Sequence, residues 1–151
     1  MKNEGMIVKG SVKGVDLKTG KVVFENHNMF VQTGLNELAK LVKDKSGAVP
    51  SHIAVGTSNT APQLGDTTLK GSELGRKPFE EAEITAASVK YSATFLAGEA
   101  TGVWEETGIF TADSTGIMWS RALTGTYTKG ADDEIKIYWT YTFENKLNGG
   151  E

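Results

Sequence analysis

Alternation of apolar and polar positions dominates the chain and is cleanest near its end. Ile135, Ile137, Trp139, Tyr141 and Phe143 take one face there, and Lys136, Tyr138, Thr140 and Thr142 the other. The same period of two runs through Val89, Tyr91, Ala93 and Phe95, set against Lys90, Ser92 and Thr94. Further strands are expected at Met6–Lys13, Lys21–Glu25, around Ile53 and Val55, at Phe79–Ile84, at Val103–Phe110 and at Ile117–Leu123. Turn signals separate them. Asp16-Leu17-Lys18-Thr19-Gly20 closes a first hairpin, with Gly20 free to take positive φ. Ala86-Ala87-Ser88, Gly98–Gly102 and Ala112–Gly116 punctuate the later strands, and Asn26-His27-Asn28 marks a bend or bulge.

One segment changes period. From Gly34 to Lys43, Leu35, Leu38, Ala39 and Val42 recur at helical spacing, with Leu41 at the margin of the stripe and Thr33 placed to cap the first turn. Lys40, Lys43 and Lys45 lie toward its C-terminal end, where the helix dipole favours cations. So short an amphipathic helix is expected to lie on a sheet. About eight strands with frequent turns and one early helix predict a mainly β fold. The expected form is an antiparallel β-sandwich built from residues 1–151 as a single domain, with 144–151 as a frayed tail.

Between the strand around Ile53 and Val55 and the next lies the longest stretch without periodicity. Thr57, Ser58, Asn59, Thr60, Ala61, Pro62, Gln63 and Leu64 are small, polar or turn-forming, and Asp66 is the first charge after them. Asp66 stands where a helix N-cap would, ahead of a short turn reaching Leu74-Gly75. A long loop of this kind is either a crossover between sheets, with Leu64 tucked into the core, or a contact surface. Depletion of charge is the signature of the centre of an interface.

Composition narrows the classes. The 151 residues contain no cysteine and carry a formal charge of −3, which removes disulfides, thiolate metal sites, a cysteine nucleophile and a basic footprint for nucleic acid. No apolar run has membrane-spanning length, and the first residues lack the apolar segment of a signal peptide. Adjacent Glu105 and Glu106 point to opposite faces of a strand, so they do not converge on one substrate. Glu81 and Glu83 share a face that reads as solvated surface, and Asp132-Asp133-Glu134 reads as a charged turn. His27 and His52 lack a third metal ligand nearby in sequence, and neither a Gly-x-Ser-x-Gly elbow nor a phosphate-binding glycine loop occurs. Trp119 lies in phase with Ile117, Arg121 and Leu123. Trp104 and Tyr138 lie opposite their strands' more apolar companions, which makes Trp104 a candidate exposed contact.

The order of several short motifs resembles that of the small β-rich structural proteins of tailed bacteriophages, among them tail, tail-fibre and collar-like components. The residues that carry it run from His27-Asn28-Met29 and Thr33-Gly34-Leu35 through His52–Thr57, Thr60-Ala61-Pro62 and Gly65–Leu69. Tyr91–Phe95, Glu106–Phe110 and Ile137–Phe143 complete it. The resemblance implies a non-enzymatic virion component made in the host cytoplasm, without cofactors. Its expected partners are other virion proteins and further copies of itself in a trimer or ring, not nucleic acid or membrane. The fibre-forming extension of many fibre proteins has no counterpart, which turns the expectation toward an adaptor, baseplate or head-decoration role. The competing classes are a carbohydrate- or receptor-binding module using Trp104 and a hydrolase using Glu81 or Glu83.

Overall fold

The structure, a computed structural model, describes residues 5–146. Two five-stranded antiparallel sheets face each other. The first contains β1 (Met6–Asp16), β2 (Val22–His27), β6 (Glu81–Thr85), β7 (Ser88–Phe95) and β10 (Ile135–Asn145), in the order β2-β1-β10-β7-β6. The second contains β3 (Met29–Phe30), β4 (His52–Gly56), β5 (Glu73–Pro78), β8 (Gly102–Phe110) and β9 (Met118–Lys129), in the order β3-β9-β8-β4-β5. A helix, α1 (Gln32–Asp44), joins β3 to β4. The expected mainly β sandwich with one helix is the fold observed.

The alternation of β10 settles where the core lies. Ile135, Ile137, Trp139 and Tyr141 are fully buried, and Phe143 packs partly buried against them. β10 pairs with β1 on one side and β7 on the other, so its inward residues meet Val12, Ala93 and Phe95. The second sheet contributes Ile53, Val55, Ile109, Trp119 and Ala122 to the same core. Tyr141 stacks on Trp119 and shares a 2.5 Å hydrogen bond with the Ser120 hydroxyl, which joins the two sheets at their centre. The buried phenol is held neutral, its pKa raised by burial against the opposing effect of that hydrogen bond.

The turns follow the residues that allow them. Gly20, at φ 74°, closes the β1–β2 hairpin with its N–H donating to Asp16 O at 2.7 Å. Asn28 is the point at which the chain leaves the first sheet for the second, so the asparagine-rich break marks a change of sheet.

Several expected boundaries move. β3 and β5 are additional strands, β6 begins at Glu81 rather than Phe79, and β9 extends to Lys129. Glu144 and Asn145 belong to β10, paired with Ile7 and Met6, so they are not a tail; residues 147–151 lie outside the described residues. Thr33 does not cap α1. It sits inside the first turn and donates to Met118 O at 2.8 Å, while Val31 is the N-cap and makes no side-chain bond.

The buried face of α1 is also rotated from the most apolar arc. Gly34 and Glu37 are buried, Leu38 and Leu41 pack on the core, and Val42 is 81% exposed. Close approach is the cause. A Cβ on Gly34 would lie 2.4 Å from Trp119 O, so glycine alone lets the helix rest on the β9 backbone. Glu37 then turns inward because its carboxylate accepts from Ala48 N–H at 2.9 Å and from Lys40 at 2.8 Å. Those two bonds hold its carboxyl below the usual glutamate range.

This packing separates three substitutions. In an exposed helix Gly→Ala stabilises by about 1 kcal/mol, but Gly34→Ala is expected to destabilise because backbone must move. Leu38→Ala should cost about 2 kcal/mol, the low end for a buried leucine. Val42→Ala should stay within about 0.5 kcal/mol, as surface changes do. Urea denaturation of the three variants checks the order. A stabilised Gly34→Ala would contradict the close contact with β9.

Candidate interaction surface

The sixteen-residue connection from Thr57 to Ser72 joins β4 to β5, which are neighbours in one sheet. It is therefore a long hairpin loop and not a crossover between sheets. Asp66 caps no helix, since residues 67–72 are irregular. The loop instead folds over the outward face of the second sheet and covers a small second core of Val31, Ala54, Leu69, Phe110 and Met118. Arg76 seals one side of it, stacked 3.9 Å from the Phe110 ring centroid and donating to Ala112 O and Thr115 O.

Beneath the loop lie Glu106 and Arg121, both fully buried, with Asp66 beside them. The Glu106 carboxylate accepts four hydrogen bonds. Oε1 takes Lys70 N–H at 2.8 Å and Arg121 Nε at 2.9 Å; Oε2 takes Ser58 N–H at 2.9 Å and Gly71 N–H at 2.7 Å. Arg121 Nη1 reaches Asp66 Oδ2 at 3.3 Å, and Lys70 Nζ lies 3.0 Å from Asp66 Oδ1. Asp66 Oδ2, the oxygen that meets Arg121, also accepts Gln63 N–H at 3.0 Å. Burying two charges costs several kcal/mol per ion, which a carboxylate recovers only when its acceptor sites are filled as here. Arg121 Nη2 is buried without a partner among the described residues, a residual cost that the Glu106 contacts must offset.

What this arrangement does is mechanical. Three backbone N–H groups of the loop, two from its return limb, converge on one side chain of the sheet beneath. The Gln32 N–H at the start of α1 fixes Leu64 O at 2.8 Å. The loop is thus held at both ends and near its tip, and its crest faces solvent. Thr57, Asn59, Thr60, Ala61, Gln63 and Leu64 are exposed, while Ser58 and Pro62 are half-buried. Leu64 is 51% exposed and is not tucked into the protein's own core.

Trp104 is a correction. It is fully buried in the main core, edge-on to Phe24, Phe95 and Tyr127, with its indole N–H donated to Ala100 O at 2.7 Å. A register break explains it. Trp104 pairs with Tyr127 and Glu106 with Leu123, so β9 carries extra residues here, and side chains two apart on β8 face opposite sides. A second break, between Ile109 and Phe110, leaves Trp119 inside and sends Arg121 outward, ending their expected common phase. Sequence periodicity missed Glu106, Arg121 and Asp66 as a unit. The signal was the placement of Glu106 and Arg121 within strands otherwise composed for burial.

The other candidates are dispersed. Glu81 and Glu83 are exposed on β6, a sheet edge, where charges discourage pairing with another chain. Beside that edge, Leu38, Leu41, Val49, Ile84 and Phe143 line an apolar cleft of about 360 Å³, with Ile84 79% exposed. Asp133 accepts Gly130 N–H at 2.7 Å and shapes the turn before β10. His27 is exposed. His52 Nδ1 lies 2.7 Å from Ser51 Oγ, and Ser51 backbone groups bond Phe110 and Phe79, stitching the start of β4 to the strands beside it. Burial, more than nearby Arg76, lowers the His52 pKa, although Asp113 opposes the shift. Among the described residues no group of three or more histidines or carboxylates is arranged to hold a metal ion, and no helix is long and apolar enough to cross a membrane.

Neither a family model, nor a curated protein, nor a solved structure matches the chain.

Two outcomes test the buried network. Glu106→Ala leaves the buried Arg121 with only Asp66 to meet it, at 3.3 Å, and strands three loop N–H groups, so it should cost about 3–5 kcal/mol, read from denaturant midpoints; a cost under about 1 kcal/mol would show the pair to be dispensable. The second concerns acid. Burial raises the Asp66 pKa, but Gln63 N–H, Lys70 and Arg121 together outweigh it and hold the carboxyl below its ordinary 3.8. A lowered folded-state pKa stabilises above the unfolded value, and that contribution is lost as pH falls through the folded one. Stability should therefore fall as pH drops below 3.8. Asp66→Asn should flatten that part of the profile.

Proposed function

We propose that this chain is a non-enzymatic building block that works through protein–protein contact, and that the crest of the Thr57–Leu64 loop is its contact surface. The observation that carries the reading is the rigid anchoring of an exposed, nearly uncharged loop by the buried Glu106. A free surface loop needs no such anchor. A contact surface benefits from one, because ordering paid in folding is not paid again on binding. The interior acids of the second sheet support the same reading: Glu106 and Asp66 are engaged in holding backbone, not poised toward a cleft.

The resemblance to structural proteins of tailed bacteriophages gives this reading its setting, a virion component of tail, baseplate or fibre, with head decoration as the alternative. In that setting the partners are other virion proteins or further copies of the chain in a closed ring or trimer. Leu64 is the apolar point of the crest. Leu64→Asp should leave the thermal midpoint nearly unchanged, because the side chain is exposed, and should abolish self-association in light scattering and incorporation into particles. A folded variant that still assembles would refute the loop as the contact.

A further inference from the structure

The outward face of the first sheet carries a different arrangement. We infer that it is a binding site for an acidic saccharide, centred on Lys13, Lys90 and Tyr138. Tyr138 stands on β10 in the middle of the sheet. Lys13 is its direct neighbour on β1, and Lys90 on β7 is opposite Thr140, one outward position along. The ammonium groups of Lys13 and Lys90 each lie 5.6 Å from the Tyr138 ring centroid, and that of Lys136 lies 5.4 Å away. Three cations around one phenol repel one another. The ring's electron-rich face offsets this in part, at cation–π distance.

Lys136 is neutralised by Glu80 at 3.5 Å. Lys13 and Lys90 have no ion-pair partner among the described residues, although Glu25 stands opposite Lys13 and Glu83 opposite Lys90 in register. Both lysines lean in over the ring instead of out toward those carboxylates. Lys13 and Lys90 thus line, without an ion-pair partner, a concave trough of about 460 Å³ together with Tyr138, Ser11 and Thr140, and Glu25 closes the trough on its β2 side. The place is built to take one anionic group with hydroxyls around it.

The class of ligand follows from the surroundings. Glu25 and Glu83 flank the lysines on either side, so the basic patch is short and bounded. A nucleic-acid strand carries a charge at every nucleotide and would run onto those glutamates. A peptide would bring apolar side chains to a trough of hydroxyls and lysine stems. A carboxylated or sulfated sugar matches both the charge and the hydroxyls, its anion between Lys13 and Lys90. This site is distinct from the Thr57–Leu64 loop, which lies over the other sheet, and it does not use Trp104.

The test is a titration of the whole protein, followed by the amide and Tyr138 ring resonances. The probes are a uronate, a sulfated and a sialylated oligosaccharide, the neutral counterpart of each, and a thymidine octanucleotide. At least one acidic sugar is expected to shift the resonances of Lys13, Lys90 and Tyr138 in a salt-sensitive way, with its neutral counterpart about tenfold weaker or more. Lys13→Met with Lys90→Met should abolish the shift at an unchanged thermal midpoint, and Lys43→Met on the helix should leave it intact. Failure of all three acidic sugars, equal binding of the neutral ones, or stronger binding of the octanucleotide at these residues would overturn the proposal. The Leu64→Asp variant should bind sugar normally, which separates this outcome from that of the assembly experiment.

Discussion

The buried carboxylate of Glu106 is the constraint on which the second sheet's outer half depends. It stands where a sheet face would otherwise be open to water, and it answers four donors from three parts of the chain. Without it, Ser58, Lys70 and Gly71 would present unpaired N–H groups to the sheet, and Arg121 would be a buried charge with only Asp66 to meet it. Through those bonds a sixteen-residue loop acquires one conformation, and the small core of Leu69, Phe110 and Met118 acquires a roof. An apolar side chain at position 106 could fill the space but could not orient the loop.

The two sheets divide the work. Inward, the sandwich is an aromatic core closed by Trp104, Trp119, Trp139 and Tyr141, with α1 laid against β9 through Gly34. Outward, the second sheet is covered by its own loop, whereas the first sheet is left as a concave, polar surface with lysines around Tyr138. The covered face yields an exposed, anchored crest and the open one a trough. A contact role for the crest and a ligand role for the trough are compatible, since different sheets present them.

Regular alternation made much of this fold legible. β10 and β7 could be read residue by residue, and the inward set Ile135, Ile137, Trp139 and Tyr141 needed only the period of two. The misreadings fall where that period breaks. The register shift between Trp104 and Glu106 reverses the face on which each residue should lie, so an aromatic expected outside is inside and the glutamate two residues on faces the loop. On α1, the closest approach is set by a glycine and a recruited carboxylate, which an apolar stripe does not reveal. The loop was legible as long and poor in charge. Its anchoring was not, because the anchor lies 36 residues from Lys70 in the chain and meets it only through sheet pairing.

The claim most open to direct measurement is that the loop is one rigid piece with the sheet beneath it. Native-state hydrogen exchange at the amides of Ser58, Lys70 and Gly71 measures it, because each donates to Glu106. These three amides should exchange with the protection of the β8 core, opening only with the sheet itself, and Glu106→Gln should lower their protection first. Exchange at the rate of a free surface loop, in a protein whose β8 amides remain protected, would contradict the account.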